Sequence, residues 1–342
     1  MTSYLLKKGA LGLTSSLWSL VSGVTRQASQ SGFLKSTRLC NCFDSCTGFH
    51  SRPFPRVISV GNLQVGGAGK TPLVAQIAKE ASDRGLKVCI LSRGYKGEWE
   101  NRGGMILPAD GPAKPSQCGD EPALLHDLCP KTFLGVGANR VYSYQSLLKK
   151  TQVAMDLVIL DDGFQHWKIK KDLEIVAVTC ASPTQIVFRD SLLALKYADL
   201  VVLTKGWTSR DQIPDLQGKP WVRVKYQLPK SRQKVPLWLM TGIATGPKTG
   251  TSESQDPYTL ALNSGYEIRR YLSRADHTRY DFPFIQLVMK QAAAVGCKIA
   301  LTGKDWVKWR EFGIPLTEVV VLEPKLIFDE GRELWSKILW QE

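Results

Sequence analysis

Residues 57–85, VISVGNLQVGGAGKTPLVAQIAKEASDRG, constrain the chain more than any other stretch. A β-branched run enters a glycine-rich loop. Lys70–Thr71–Pro72 then opens a segment with Val74, Ile77, Ala78 and Ala81 on one side, closed by Gly85. Strand, glycine loop and helix in this order is the context of a phosphate-cradling loop. With glycine at 66, 67 and 69, backbone N–H groups of Gly66, Gly67, Ala68 and Gly69 can turn inward onto phosphate oxygens. The helix adds its positive N-terminal end, and Pro72 suits the first turn because its missing N–H would be unpaired there anyway. Lys70 can reach the outer phosphates and the Thr71 hydroxyl can ligate Mg²⁺. The general pattern G-x-x-x-x-G-K-[ST] asks for glycine at 64, where this chain has Gln64. A glycine-rich turn with an incidental lysine is the bland alternative, and strand, loop, GKT and helix together disfavour it.

Downstream, KVCILSRGY (87–95), MDLVILDDG (155–163), LEIVAV (173–178) and DLVVLTK (199–205) read as buried strands. PALLHDLCP (122–130) and ANRVYSYQSLLKK (138–150) read as helices, and 97–122 as a loop. The alternation implies a mostly parallel sheet covered by helices on both faces. Asp161 and Asp162 stand where the second half of a phosphate-loop site keeps its Mg²⁺ carboxylate. Strand alternation points adjacent side chains apart, so one of the two ligates comfortably unless the strand has ended. A polar stretch at 205–220 marks a boundary. Beyond it, 235–244, 297–303 and 319–324 read as strands and 258–272 and 282–296 as helices, giving a second, smaller α/β domain.

With 342 residues the chain can build two cores, and a net charge of +14 favours anionic partners without choosing among them. Part of that charge lies before residue 57, where Lys7, Lys8, Arg26, Lys35, Arg38, Arg52 and Arg56 face only Asp44. Leu6, Ala10, Leu13, Leu17, Leu20 and Val24 form a helical stripe there. Basic, Ser-rich and amphipathic describes an organelle transit peptide, or a helix lying on an anionic membrane surface, or a helix packed on the body of the protein. Cys89, Cys118, Cys129, Cys180 and Cys297 are scattered as reduced structural thiols would be. Cys40, Cys42 and Cys46 with His50 lack the usual zinc spacing. No RNA-binding signature appears, so nucleic acid is not an expected partner.

GNLQVGGAGKTP, LSRGYKG (91–97), CGDEPALL (118–125), LDDGFQHW (160–167), RADHTRY (274–280) and LTGKDWVKW (301–309) occur in this order. Together they resemble the tetraacyldisaccharide 4'-kinases of lipid A assembly, over essentially the whole chain from Val57. In that family the position of Gln64 is not glycine either. The resemblance implies an ATP- and Mg²⁺-dependent enzyme. It phosphorylates the 4' hydroxyl of an acylated glucosamine disaccharide 1-phosphate at a membrane surface, with a phosphate-loop domain, a smaller α/β domain and the active site between them. Carried over, Asp120 and His277 are the catalytic acid–histidine pair, and Glu121, Asp161 and Asp162 join Thr71 as metal candidates. Arg93 and Arg189 match arginines that meet phosphate charge, and Gln165 and His166 belong to the signature as contacts or braces. On residue types alone, Asp120 could equally ligate Mg²⁺ and His277 could be a hydrogen-bonded structural histidine.

Three departures stand out. The stretch TCASPTQIVFRDS before Leu192 is shorter than in bacterial members, leaving Arg189–Asp190; Gly303 stands where the family usually has Glu; and the N-terminus differs. The expected division is 1–50 as a targeting or membrane-associated segment, 51–215 as the phosphate-loop kinase domain and 216–342 as the smaller domain. The expected location is mitochondrial and membrane-associated, with the cytoplasmic face of a bacterial inner membrane as the alternative. No obligate protein partner is inferred. Two rival functions remain: a nucleotide-hydrolysing switch or assembly factor, and a kinase of a soluble small molecule. A switch needs no base directed at a sugar hydroxyl, so Asp120 and His277 separate it from a kinase.

Overall fold

The computed structural model describes residues 36–41, 53–64, 68–179, 192–205, 215–232, 235–242 and 255–341. The N-terminal stripe, Gly66, Gly67, Cys42, Cys46, Cys180 and Arg189 lie outside them. In chain order the first half contains β1 (Arg56–Asn62), α1 (Lys70–Asp83), β2 (Val88–Ser92), α2 (Trp99–Arg102), β3 (Gly104–Ile106), α3 (Pro115–Cys118), α4 (Asp120–Leu128), β4 (Phe133–Val136), α5 (Arg140–Thr151) and β5 (Leu157–Asp161). There follow β6 (Leu173–Thr179), β7 (Leu200–Thr204), β8 (Trp221–Gln227), β9 (Leu237–Thr241), α6 (Pro257–Asn263) and β10 (Ile268–Ser273). The last elements are α7 (Phe282–Ala294), β11 (Lys298–Thr302), α8 (Gly303–Arg310), β12 (Val319–Leu322), β13 (Lys325–Glu330) and α9 (Arg332–Trp340).

The chain divides into two compact units that are discontinuous in sequence. One comprises 1–91, 140–224 and 328–342, the other 92–139 and 225–327. Consecutive domains with a break near 215 were expected. Instead residues 92–139 belong with the second unit, because α4 packs on α8, nearly two hundred residues further along the chain. The last fifteen residues return to the first unit.

In the first unit the strand order is β13-β8-β7-β6-β1-β5-β2, and β1 is parallel to both β5 and β6. Parallel pairing brings the C-terminal ends of these strands to one edge, where α/β sheets bind ligands. The register sets Val60 opposite Asp161, so the acid at the end of β5 lies beside the start of the glycine loop. Leu63, Phe164, Val176, Leu195, Val201 and Leu203 form the core under that edge. Gly61 is required by a close approach: a Cβ there would stand 2.3 Å from the Phe164 Cβ and 2.7 Å from its backbone nitrogen.

At the C-terminus, Glu80 on α1 is buried and accepts hydrogen bonds from Gln76, Arg332, Trp335 and Trp340 at 2.7, 2.6, 3.0 and 2.8 Å. Burial works to raise its carboxyl, and these four donors outweigh that and hold it below the ordinary range.

In the second unit β10-β9-β11-β12 form a parallel sheet, and β3 pairs antiparallel with β4. Trp238, Met240, Ile285, Ile299, Leu301 and the fully buried Trp309 make its core. Residues 258–272 do not form the single helix expected. The helix stops at Asn263, Gly265 turns the chain at φ 81°, and Ile268–Ser273 continues as the edge strand β10 beside β9. The 97–122 segment likewise carries α2, β3 and α3 rather than being all loop. Cys89, Cys118, Cys129 and Cys297 are buried thiols outside any disulfide, whereas Cys40 is disulfide-bonded and so withheld from any thiolate ligand set. Among the described residues no helix is long and apolar enough to cross a membrane.

Candidate active site

In the first unit the phosphate loop is anchored at both ends. Gln64 is buried, and its Oε1 accepts from the Thr179 backbone N–H at 3.0 Å and hydroxyl at 2.8 Å. Its Nε2 donates to the Thr179 carbonyl at 3.0 Å. The side chain absent from the general pattern thus fastens the loop to the end of β6. At the far end, the Thr204 hydroxyl donates to the Ala68 carbonyl at 2.9 Å. Gly69 then takes a left-handed conformation, φ 75° and ψ 23°, to start α1. Lys70 Nζ donates to Asn62 Oδ1 at 3.1 Å and lies 3.3 Å from Asp162 Oδ1.

The adjacent acids are separated by the end of the strand. Asp161 is the last residue of β5 and is buried, whereas Asp162 adopts φ 53° and turns to Lys70. Two contacts hold this turn against β1: Gly163 N–H to the Val60 carbonyl at 3.1 Å, and Gln165 Nε2 to the Asn62 carbonyl at 3.1 Å. Arg140 secures the other side, with Nη2 donating to the Asp161 carbonyl at 2.9 Å and Nη1 lying 3.3 Å from His166 Nδ1. Burial, reinforced by the Arg140 charge, pushes His166 down to about 3. The ring is therefore neutral, and its Nδ1 accepts from the guanidinium. In this structure the Gln165 side chain contacts Asn62 and the His166 ring contacts Arg140, on the two sides of the Asp161–Asp162 turn.

The oxygen donors here, the Thr71 hydroxyl and the Asp161 and Asp162 carboxylates, are the hard ligands that suit Mg²⁺. A phosphate-loop metal needs only one or two protein oxygens besides water and phosphate.

In the second unit Asp120 is the first residue of α4 and is buried. The signature motifs meet at this helix start: a Cβ on Gly97 would stand 2.4 Å from the Gly119 nitrogen, so LSRGYKG can pack beneath CGDEP only with glycine there. His277 Nδ1 lies 3.0 Å from Asp120 Oδ2 and 3.2 Å from Oδ1, and the Tyr95 ring meets the imidazole edge-on at 5.1 Å. Burial raises the Asp120 carboxyl, but the His277 hydrogen bond and the Lys304 charge outweigh it and leave the group below the ordinary aspartate value. The carboxylate is thus held ionised against an imidazole, an arrangement that can take a proton from a hydroxyl. Glu121 lies beside Lys304 Nζ, at 3.5 Å. Arg93 is exposed and paired with Glu100 at 2.8 Å.

At Gly303 the neighbouring space is taken by a side chain. A Cβ at 303 would meet Glu323 Oε2 at 2.0 Å, so the Glu323 carboxyl fills that space. Burial, then Asp127, raises it to about 7. Asp305 is structural: fully buried, it accepts from Gly242 N–H, Tyr280 and Thr302 at 2.9, 2.9 and 2.7 Å and pairs with Lys308 at 3.0 Å.

The profile of the tetraacyldisaccharide-1-P 4'-kinase family matches residues 11–341. The chain belongs to that family. It is 32% identical over 267 residues to a tetraacyldisaccharide 4'-kinase of Geobacter sulfurreducens, covering 74% of each. With a tetraacyldisaccharide 4'-kinase of Shewanella pealeana it shares 30% identity over 338 residues, 94% of this chain and 91% of the relative. The fold is that of the crystal structure of LpxK from Aquifex aeolicus in complex with ATP, with a TM-score of 0.69 at 24% identity, over 97% of this chain and 98% of that one.

Sequence reasoning for this 4'-kinase family member passed over Asn62, Arg140 and Asp276. Asp276 stands inside the RADHTRY motif, where its adjacency to His277 is a visible signal. Nothing local distinguishes Arg140 from a surface arginine of a helix.

Proposed function

We propose that this chain transfers the γ-phosphoryl group of ATP to the 4' hydroxyl of a tetraacylated glucosamine disaccharide 1-phosphate in lipid A biosynthesis. The observation that carries the reading beyond nucleotide binding is the Asp120–His277 pair, a buried ionised carboxylate 3.0 Å from an imidazole nitrogen. A nucleotide switch has no use for such a pair, whereas a hydroxyl nucleophile must lose its proton as the new P–O bond forms.

The chain supplies each element of the transfer. The phosphate loop and Lys70 hold the triphosphate, and Thr71 with Asp162 and Asp161 would hold Mg²⁺, which neutralises charge on the phosphates when bound. The neutral His166 and Arg140 keep the acid-bearing turn in place. As the acceptor oxygen bonds to the γ-phosphorus and the bond to ADP breaks, the hydroxyl proton passes to Asp120 and His277, which act as one coupled base. Arg93 and Arg189 are the arginines assigned to phosphate charge, and Glu121 is a further candidate for the metal.

The assay is labelled ATP, Mg²⁺ and the acylated disaccharide 1-phosphate. Label in the lipid product supports the kinase reading. ATP hydrolysis without transfer, or transfer only to a soluble sugar, overturns it.

Residues 1–56 are proposed to bring the enzyme to an anionic membrane surface, in a mitochondrion, on the strength of their basic, acid-poor and amphipathic composition. Fusing them to a fluorescent reporter tests this, and a diffuse cytosolic signal contradicts it. Co-sedimentation of the full chain, but not of a chain lacking 1–50, with vesicles containing anionic lipid tests the surface attraction.

A further inference from the structure

We propose that Lys304 is the positioning residue of the Asp120–His277 pair, acting on the carboxylate directly and on the histidine through Asp276. The inference rests on the kinase reading above. Lys304 is the second residue of α8, whose start is fixed by the Thr302 side chain accepting from Asp305 N–H at 3.3 Å. Its stem therefore rises from a capped helix. Its ammonium is largely buried and surrounded by three carboxylates, Asp276 Oδ1 at 3.1 Å, Glu121 Oε1 at 3.5 Å and Asp120 Oδ2 at 3.7 Å. Three donors facing three acids leave the group little capacity for a substrate.

Asp276 links the lysine to the histidine. The Oδ1 atom that receives Lys304 also accepts the backbone N–H of His277 at 3.0 Å. His277 sits at φ 57°, where a non-glycine residue carries a strain of about 1 kcal/mol or more. The Asp276 carboxylate clamps that strained residue, and Lys304 fixes the clamp. Lys308, one turn further along α8, is committed to Asp305 at 3.0 Å and does not replace it. Removing the ammonium leaves the carboxylates of Asp120, Glu121 and Asp276 facing one another, and their mutual repulsion displaces Asp276 from the His277 backbone.

Full-length Lys304→Met, Lys304→Arg and Asp276→Asn are compared with wild type for kcat, for KM of ATP and acceptor, and for thermal stability. Lys304→Met is expected to lose about 100-fold in kcat, the cost of a small misplacement of reacting groups, with both KM values nearly unchanged. Lys304→Arg restores most of the rate by restoring the charge. Asp276→Asn loses kcat in the same way, and adding it to Lys304→Met costs little more, because the two act in series. A raised KM with intact kcat makes Lys304 a substrate contact and overturns the proposal, as does an unchanged kcat. Asp276→Asn carries the test if Lys304→Met does not fold. The Nδ1–H resonance of His277, shifted downfield by its bond to Asp120, is expected by NMR in wild type and Lys304→Arg and lost in Lys304→Met. Its persistence in Lys304→Met overturns the proposal. This signal needs no turnover, so failure of the kinase reading and failure of this inference are told apart.

Discussion

Gln64 and Thr179 are joined by three hydrogen bonds between the phosphate loop and the end of β6, in the place where the general loop pattern has glycine. Restoring the pattern with Gln64→Gly should therefore weaken the site. Each buried bond is worth about 1 kcal/mol net, so a loss of about tenfold or more in ATP affinity is expected by equilibrium binding. Affinity equal to wild type would show that the loop is held by other means.

Gly61→Ala tests the approach of the DDGFQH turn to β1. A Cβ at 2.3 Å from the Phe164 Cβ and 2.7 Å from its nitrogen meets backbone that cannot swing aside. The expected cost is about 1–3 kcal/mol of stability, with weaker nucleotide binding because the turn carries Asp162. Urea unfolding with an unchanged midpoint would contradict the packing described.

Asp162→Asn addresses the metal. Asp162, not the buried Asp161, turns to Lys70, so its loss should raise the Mg²⁺ concentration needed for half-maximal rate by about tenfold or more. Chelating the metal should abolish transfer, and re-adding Mg²⁺ should restore it. An unchanged Mg²⁺ requirement in Asp162→Asn would move the ligand role to Asp161.

Glu80 ties α9 to α1, and its folded-state carboxyl is held below its unfolded value. Its stabilisation is therefore fully present above the unfolded carboxyl range and is lost as pH falls through the folded value. Glu80→Gln should lower stability by about 1.5–3 kcal/mol at neutral pH, the range for hydrogen bonds to a charged group. The difference from wild type should shrink towards pH 4. A melting-temperature difference that stays constant with pH would argue against a charged Glu80.

Legibility in the sequence followed how local each signal is. VISV, GKTP and LVILDDG carry their own context, and β1, α1 and β5 stand where those runs place them. IRRYL (268–272) continued an apolar pattern begun at Tyr258, and only the turn at Gly265 and the pairing with β9 make it a strand. WVRVKYQ, which forms β8, alternates buried with more exposed residues but lies just past the polar 205–220 stretch, in a segment to which the sequence reading assigns no element. The discontinuous units follow from contacts such as α4 on α8, which no window of sequence contains. Asp120 and His277 came from their motifs, whereas the grip of Lys304 and Asp276 on them exists only once α8 is placed beside α4.

The transfer reaction depends on Asp120 and His277 acting together on the acceptor hydroxyl, and Asp120→Ala measures that most directly. Under saturating ATP, Mg²⁺ and acylated disaccharide 1-phosphate, turnover should fall by about 10²–10⁴-fold, while ATP affinity measured on the same protein stays within about twofold of wild type. An unchanged rate of transfer would contradict the role assigned to the pair.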